Sequence, residues 1–199
     1  MSPTDGGAES GSVAVARIAR LVRAGGVIAY PTEGVFGIGC AADDAVAVAR
    51  ILALKGRGAG LGFIVIAAAF EQVEALLAPL SRKLRARLDA TWPGPVTWVV
   101  PAHADTPAWL TGGRDTLAVR ITAHPPARAL CERAGVALVS TSANRHGRPP
   151  ARTALAVRRI FGRNIDGVLA GACGALAGPT EIRDLASGRV LRPPPLTAG

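Results

Sequence analysis

Short apolar runs alternate along this chain with stretches whose apolar residues recur every three or four positions, the periods of strand and helix. Val13, Ile18, Leu21 and Val22 fall roughly on one face of a helix that stops at Gly25-Gly26. VIAY (27–30) reads as a buried strand ended by Pro31 and followed by a Gly-rich turn. Asp43 or Asp44 can cap a second helix, which carries Val46, Ala49, Ile51 and Leu52 and runs out near Lys55-Gly56. GRGAGLG (56–62) predicts a flexible loop, FIVIAA (63–68) a strand, and 70–77 and 81–90 two helical segments. PVTWVVPA (95–102) and TLAVRI (116–121) predict strands, 125–133 a helix, VALVS (136–140) a strand and 153–161 a helix. Short strands are expected near 166–169, 180–183 and 189–191. Strands alternating with helices imply an α/β domain built on one central sheet. Several connections are too short for a helical crossover, so the sheet should be mixed. Residues 1–11 are expected to be disordered, 12–192 to form a single domain, and 193–199 to be a flexible tail.

Composition narrows the class. Of 199 residues, 49% are hydrophobic, enough for one core and too many for a disordered chain. No apolar run reaches the roughly 18 residues of a membrane span. The polar, acidic start MSPTDGGAESG lacks the features of a signal peptide. A soluble, cytoplasmic protein with no membrane partner is expected. Cys40, Cys131 and Cys173 are widely spaced and have no CxxC or CxxH companion, which predicts free thiols rather than a zinc site or a disulfide framework. The formal net charge of +9 suits a polyanion such as a nucleotide or nucleic acid, and equally a chain whose arginines only keep it soluble.

Four segments could carry chemistry. Neither GxxxxGK[ST] nor a strand-led GxGxxG occurs, so any nucleotide is held by other means. Lys55-Gly56-Arg57 would set two cations on one side of an extended chain, suited to a polyphosphate, or would serve only as a solvated helix C-terminus. Ser140-Thr141-Ser142-Ala143-Asn144 follows a strand. There Ser142 and Asn144 could present a hydroxyl and an amide to a ligand, or form an ordinary turn. Thr32 heads PTEGVFGIG, where Gly37 and Gly39 allow close backbone approach, to a ligand or within a tight turn. Trp92-Pro93-Gly94-Pro95 reads as architecture. His103, His124 and His146 lack ligand spacing.

Taken in order, PTEGVFGIGC, LKGR, WPGPVTWVVPA, LAVRITAHP, LVSTSAN and GPTEIRD resemble the blocks of the YrdC/Sua5 family, most like its short bacterial branch of threonylcarbamoyl-AMP synthases. The blocks spread over 27–192, and a chain without the extra C-terminal Sua5 domain is expected. The resemblance implies a single YrdC-like α/β domain, a twisted mixed open sheet flanked by helices around a deep basic cavity. It implies that L-threonine, bicarbonate and ATP become threonylcarbamoyl-AMP and pyrophosphate, with Mg2+ accompanying ATP and no protein metal site. This is the first step of t6A37 modification of tRNA. Carried over by position, Lys55, Arg57, Ser142 and Asn144 correspond to the nucleotide signature, Arg192 and Thr116 to further ATP contacts, and Thr32, Arg120, Ser140 and Thr180 to the threonine pocket. Lys55 and Arg57 would be the catalytic cations. A threonylcarbamoyl transferase complex would accept the product, and tRNA or double-stranded RNA could bind directly. A non-catalytic RNA-binding protein using the same cavity is the alternative. The chain departs from the pattern at Gly58 and Leu61, where proline and a second basic residue are usual, at Thr180, where serine is usual, and at His146, where serine is common.

Overall fold

Strict alternation along the strands sends neighbouring side chains to opposite faces of one sheet, and a separate apolar cluster forms on each face. The computed structural model describes residues 6–56 and 59–194. The elements are α1 (Gly6–Arg23), β1 (Ile28–Pro31), β2 (Phe36–Gly39), α2 (Ala45–Lys55), β3 (Ile64–Ala67), α3 (Arg82–Asp89), β4 (Val96–Pro101), α4 (Ala108–Thr111), β5 (Thr116–Ile121), α5 (Pro125–Ala134), β6 (Leu138–Ser142), α6 (Ala154–Phe161), β7 (Gly167–Val168), β8 (Glu181–Asp184) and β9 (Val190–Arg192). Among the described residues the strands form a nine-stranded sheet in the order β7-β1-β2-β6-β3-β5-β4-β8-β9. The pairs β1–β7, β3–β5 and β4–β8 are parallel and the others antiparallel, so the sheet is mixed. No helix among the described residues is long and apolar enough to cross a membrane.

On one face Ile28, Tyr30, Ile66 and Leu138 pack under Ile18 and Val22 of α1 and under Leu130 and Cys131 of α5. On the other, Ala29, Ile38, Val65, Val119 and Val139 join Val48 and Ile51 of α2, Leu88 of α3 and Phe161 of α6. Caps explain where these helices begin. The Asp44 carboxylate accepts from the Ala47 amide at 2.9 Å. Ser81 and Thr153 do the same for Leu84 and Ala156. Each such side chain satisfies an amide that the helix itself cannot, typically contributing about 1 kcal/mol.

The differences from expectation have local causes. Helix α1 starts at Gly6, inside the segment expected to be disordered; residues 1–5 lie outside the described residues. Its Val13 is 71% exposed, because the helix buries Ile18, Ala19 and Val22 instead. The Gly-rich turn after Pro31 contains strand β2, folded back antiparallel on β1. Segment 70–77 forms two short 3-10 turns, Phe70–Gln72 and Glu74–Leu76, rather than one helix. Strand β6 starts two residues later than expected and runs on to Ser142. Pro193 and Pro194 follow β9 without regular structure, and the rest of the expected tail lies outside the described residues.

Candidate functional site

Helices α1 and α5 cover only part of their face of the sheet, and the strands continue beyond them. Ile64 sits opposite Ser140 on one side and Ala118 on the other, while Ile66 sits opposite Leu138 and Arg120. Cross-strand partners share a face, so Ser140, Ile64, Ala118 and Arg120 surface together where no helix lies over them. They floor a cavity of about 270 Å³, which Thr32, Ser142, Thr180 and Arg192 also line. Gly37 keeps it open, since a Cβ there would stand 3.1 Å from the Ser140 hydroxyl oxygen. A second cavity of about 360 Å³ is lined by Lys55, Asn144, His146 and Gly147, and shares Leu61, Thr141 and Ser142 with the first. A third, of about 350 Å³, contains Thr116 and Arg114 and shares Leu61, Ala118, Ile182 and Arg192 with the first. The structure thus gathers Thr32, Arg120, Ser140, Ser142, Thr180 and Arg192 in one cavity. Lys55 and Asn144 stand beyond Ser142, and Thr116 stands at the opposite end. Arg57 and Gly58 lie outside the described residues.

Lys55 does not have the geometry that an extended Lys-Gly-Arg segment predicts. It is the last residue of α2, and Gly56 follows in the left-handed region at φ 57°. The ammonium turns inward, only 7% of Lys55 is exposed, and Nζ donates to the Ser142 carbonyl at 2.6 Å, the Asn144 carbonyl at 3.0 Å and Asn144 Oδ1 at 2.7 Å. The Ser142 hydroxyl also donates to Asn144 Oδ1, at 2.7 Å, and the Asn144 amide nitrogen donates to the Arg148 carbonyl at 2.6 Å. The hydroxyl and amide expected to point at a ligand therefore stabilise their own loop. Lys55 lies beneath that loop as its anchor, so its charge is close by while its N–H bonds hold the loop's shape.

At the other side of the first cavity the side chains have fixed polarity. The Thr32 hydroxyl donates to the Val35 carbonyl at 2.7 Å, leaving its oxygen as an acceptor. Arg120, 3% exposed, donates through Nη1 to Thr97 Oγ1 at 3.0 Å and Thr180 Oγ1 at 2.9 Å. Its Nη2 stands 3.3 Å from Glu33 Oε2, an ion pair without hydrogen-bond geometry, so that oxygen and Arg120 Nε have no hydrogen-bond partner among the described residues. Glu33 Oε1 accepts from Thr122 Oγ1 at 2.6 Å. The Arg120 fork is accordingly half used, and its charge is balanced by Glu33. Arg192 donates through Nη2 and Nε to the Thr180 carbonyl at 2.6 and 3.0 Å; burial, and then the neighbouring Arg120 charge, hold its guanidinium below the usual range. Among the described residues that line this cavity, Arg192 is the guanidinium with no carboxylate beside it.

Sequence reasoning passed over Glu33, Thr97 and Thr122. The available signal was a polar residue at a core position: Thr97 interrupts the apolar strand PVTWVV and is fully buried, and Glu33 is 8% exposed. No group of three or more His, Cys, Asp or Glu among the described residues could hold a metal ion.

A mixed-sheet α/β domain with hydroxyl-lined cavities along one open face defines the class. The chain belongs to the Sua5_yciO_yrdC family, whose model carries the description telomere recombination and matches residues 20–193. It is 60% identical over 174 residues to a Nitrosococcus oceani protein named threonylcarbamoyl-AMP synthase, a match covering 87% of this chain and 94% of that protein. A Halorhodospira halophila protein of the same name is 56% identical over 171 residues, covering 86% and 90%. Among solved structures, P. abyssi Sua5 complexed with L-threonine superposes with a TM-score of 0.84 at 35% identity. That match covers 90% of this chain and 54% of the Sua5 chain, so this chain spans about half of that protein's length.

Proposed function

We propose that this chain is an L-threonylcarbamoyladenylate synthase, a nucleotidyltransferase that supplies the activated group for t6A37 in tRNA. The threonine nitrogen adds to the carbon of bicarbonate, and water leaves, giving a carbamate. A carbamate oxygen then attacks the α-phosphorus of ATP. The bond from that phosphorus to the bridging α–β oxygen breaks, pyrophosphate departs with the electron pair, and threonylcarbamoyl-AMP remains. The observation that carries this reading is the position of Ser142 on the wall common to two cavities. One cavity is small and hydroxyl-lined, suited to a hydroxy amino acid. The other lies against a loop organised by a buried ammonium. A carbamate in the first would face a phosphate at the edge of the second.

The threonine side of this proposal uses Thr32, Ser140, Thr180 and Arg120. The triphosphate side uses Lys55, Arg57, Ser142, Asn144 and Arg192, with Thr116 toward the adenosine end. Charge that accumulates on the leaving pyrophosphate is stabilised by fixed cations that need no reorganisation. Holding the reactants at one wall supplies much of the remaining acceleration, so no protein nucleophile is needed. Among the described residues that line these cavities none is a carboxylate, and Mg2+ would be carried by phosphate oxygens and water. The product is an unstable mixed anhydride and would pass to a threonylcarbamoyl transferase. Incubation with ATP, Mg2+, bicarbonate and L-threonine tests the reading. Pyrophosphate release should require both threonine and bicarbonate, and release indifferent to threonine would overturn it.

A further inference from the structure

The threonine cavity contains a directional hydrogen-bond relay that starts at a residue outside it. Thr97 lies on β4, fully buried behind Thr180. Its hydroxyl oxygen accepts from Arg120 Nη1, and its proton must still be placed. Arg120 carries no acceptor. Among the described residues, the acceptor within reach is Thr180 Oγ1 at 3.3 Å. A buried hydroxyl proton left unpaired is costly, so Thr97 donates to Thr180. Thr180 Oγ1 then accepts twice, from Thr97 and from Arg120 Nη1, and both lone pairs are used. Its own proton is left to point into the cavity that Thr180 lines. Across the cavity Thr32 has the opposite polarity, because its proton is given to Val35.

We propose that Thr97 is a positioning residue that makes Thr180 an obligate hydrogen-bond donor to the substrate's carboxylate, while the buried Glu33–Arg120 pair holds the relay in place. This rests on the synthase reading for the identity of the substrate. The arrangement matches the two ends of an amino acid: the Thr180 proton, beside the Arg120 guanidinium, favours the anionic end, and the Thr32 oxygen favours an N–H or O–H. Thr97 acts entirely through Thr180, since it does not line the cavity itself.

A double-mutant cycle tests the relay. Thr97→Val keeps the side-chain shape and removes the hydroxyl, Thr97→Ser keeps the hydroxyl, and Thr180→Val removes the donor. Threonine affinity is measured by calorimetry with L-threonine alone, and KM values for threonine and ATP by pyrophosphate release, after thermal unfolding shows that each variant folds. Thr97→Val should weaken threonine five- to tenfold and leave the KM for ATP within twofold, and Thr97→Ser should stay within twofold of the parent. In the Thr180→Val background, Thr97→Val should cost nothing further. Unchanged threonine affinity in Thr97→Val, or additive losses in the double variant, would overturn the relay while leaving the synthase reading in place. Should Thr97→Val misfold, Thr97→Ala, which also removes the hydroxyl, is measured in both backgrounds, and a loss that persists with Thr180→Val would overturn the relay. A parent protein that binds threonine but releases no pyrophosphate would sink the synthase reading and leave the relay standing, and one that binds no threonine would sink both.

Discussion

At the scale of single residues, the site depends on buried charges that serve their neighbours. Removing Lys55 leaves the Ser142 and Asn144 carbonyls and Asn144 Oδ1 without a charged donor, and hydrogen bonds to charged groups typically contribute about 1.5–3 kcal/mol each. Lys55→Ala should therefore lower the melting temperature and raise the KM for ATP by about 10–100-fold, as read from thermal unfolding and from pyrophosphate release. Loss of the Glu33 charge leaves the Arg120 guanidinium buried and uncompensated. Glu33→Gln should destabilise the fold by about 3 kcal/mol in denaturant unfolding, the cost of breaking a buried pair. The thiols are inert for a related reason. Burial pushes the Cys40 and Cys131 thiols up to about 12, and raises that of Cys173, which is less buried. The two buried thiols therefore stay protonated at pH 8. Iodoacetamide should label Cys173 first, with Cys40 and Cys131 modified only on unfolding, as followed by mass spectrometry.

At the scale of elements, the turn between β8 and β9 decides where Arg192 stands. The Asp184 carboxylate accepts from the Ser187 amide at 2.7 Å and from its hydroxyl, and these bonds hold its carboxyl below the usual range. A carboxylate depressed in the folded state adds stability above its unfolded value, and that stability is lost as pH falls through the folded value. Amide exchange at Ser187, compared with β4, should therefore stay protected at neutral pH and rise as pH drops below about 4. Asp184→Asn should raise that exchange about tenfold at pH 7 and remove its acid dependence. Most elements were legible before any coordinates: strand β5 falls on TLAVRI, and Asp44, one of the two acids expected, caps α2. Strand β2 was hidden. Two of its four residues are glycine, which read as a turn, yet Gly39 is needed because a Cβ there would collide with the Val139 carbonyl of β6. Segment 70–77, expected to be helical, forms two 3-10 turns, with Val73 and Leu77 in the core and Phe70 and Leu76 packed against it.

At the scale of the whole molecule, charge is unevenly placed. Between 134 and 165 the sequence has six arginines and no acid. Arg145, Arg148, Arg152, Arg158, Arg159 and Arg163 are all exposed, and Arg145 reaches the Ile160 carbonyl of α6 at 3.5 Å, which ties this surface to the loop bearing Asn144. If RNA is held there, log K against log salt should fall with a slope of about −3 to −5 in a filter-binding titration, and Arg158→Glu with Arg159→Glu should flatten it by about 1–2. A salt-independent affinity would leave this surface without a role in RNA binding.

The sequence by itself determined the alternation of elements, the mixed sheet, the Asp44 cap of α2 and the family, because periodicity, capping chemistry and ordered motifs are local and survive without coordinates. It also named most of the polar residues that line the cavities. Tertiary structure alone decided what those residues do to one another. Lys55 turns under the Ser142–Asn144 loop because three oxygens of that loop accept from its ammonium at the end of α2. Arg120 is held by Glu33, 87 positions away in sequence, because β5 and the β1–β2 turn meet over the sheet. The direction of a hydrogen bond depends on which neighbour is buried beside it, and burial is a property of the folded whole rather than of any segment.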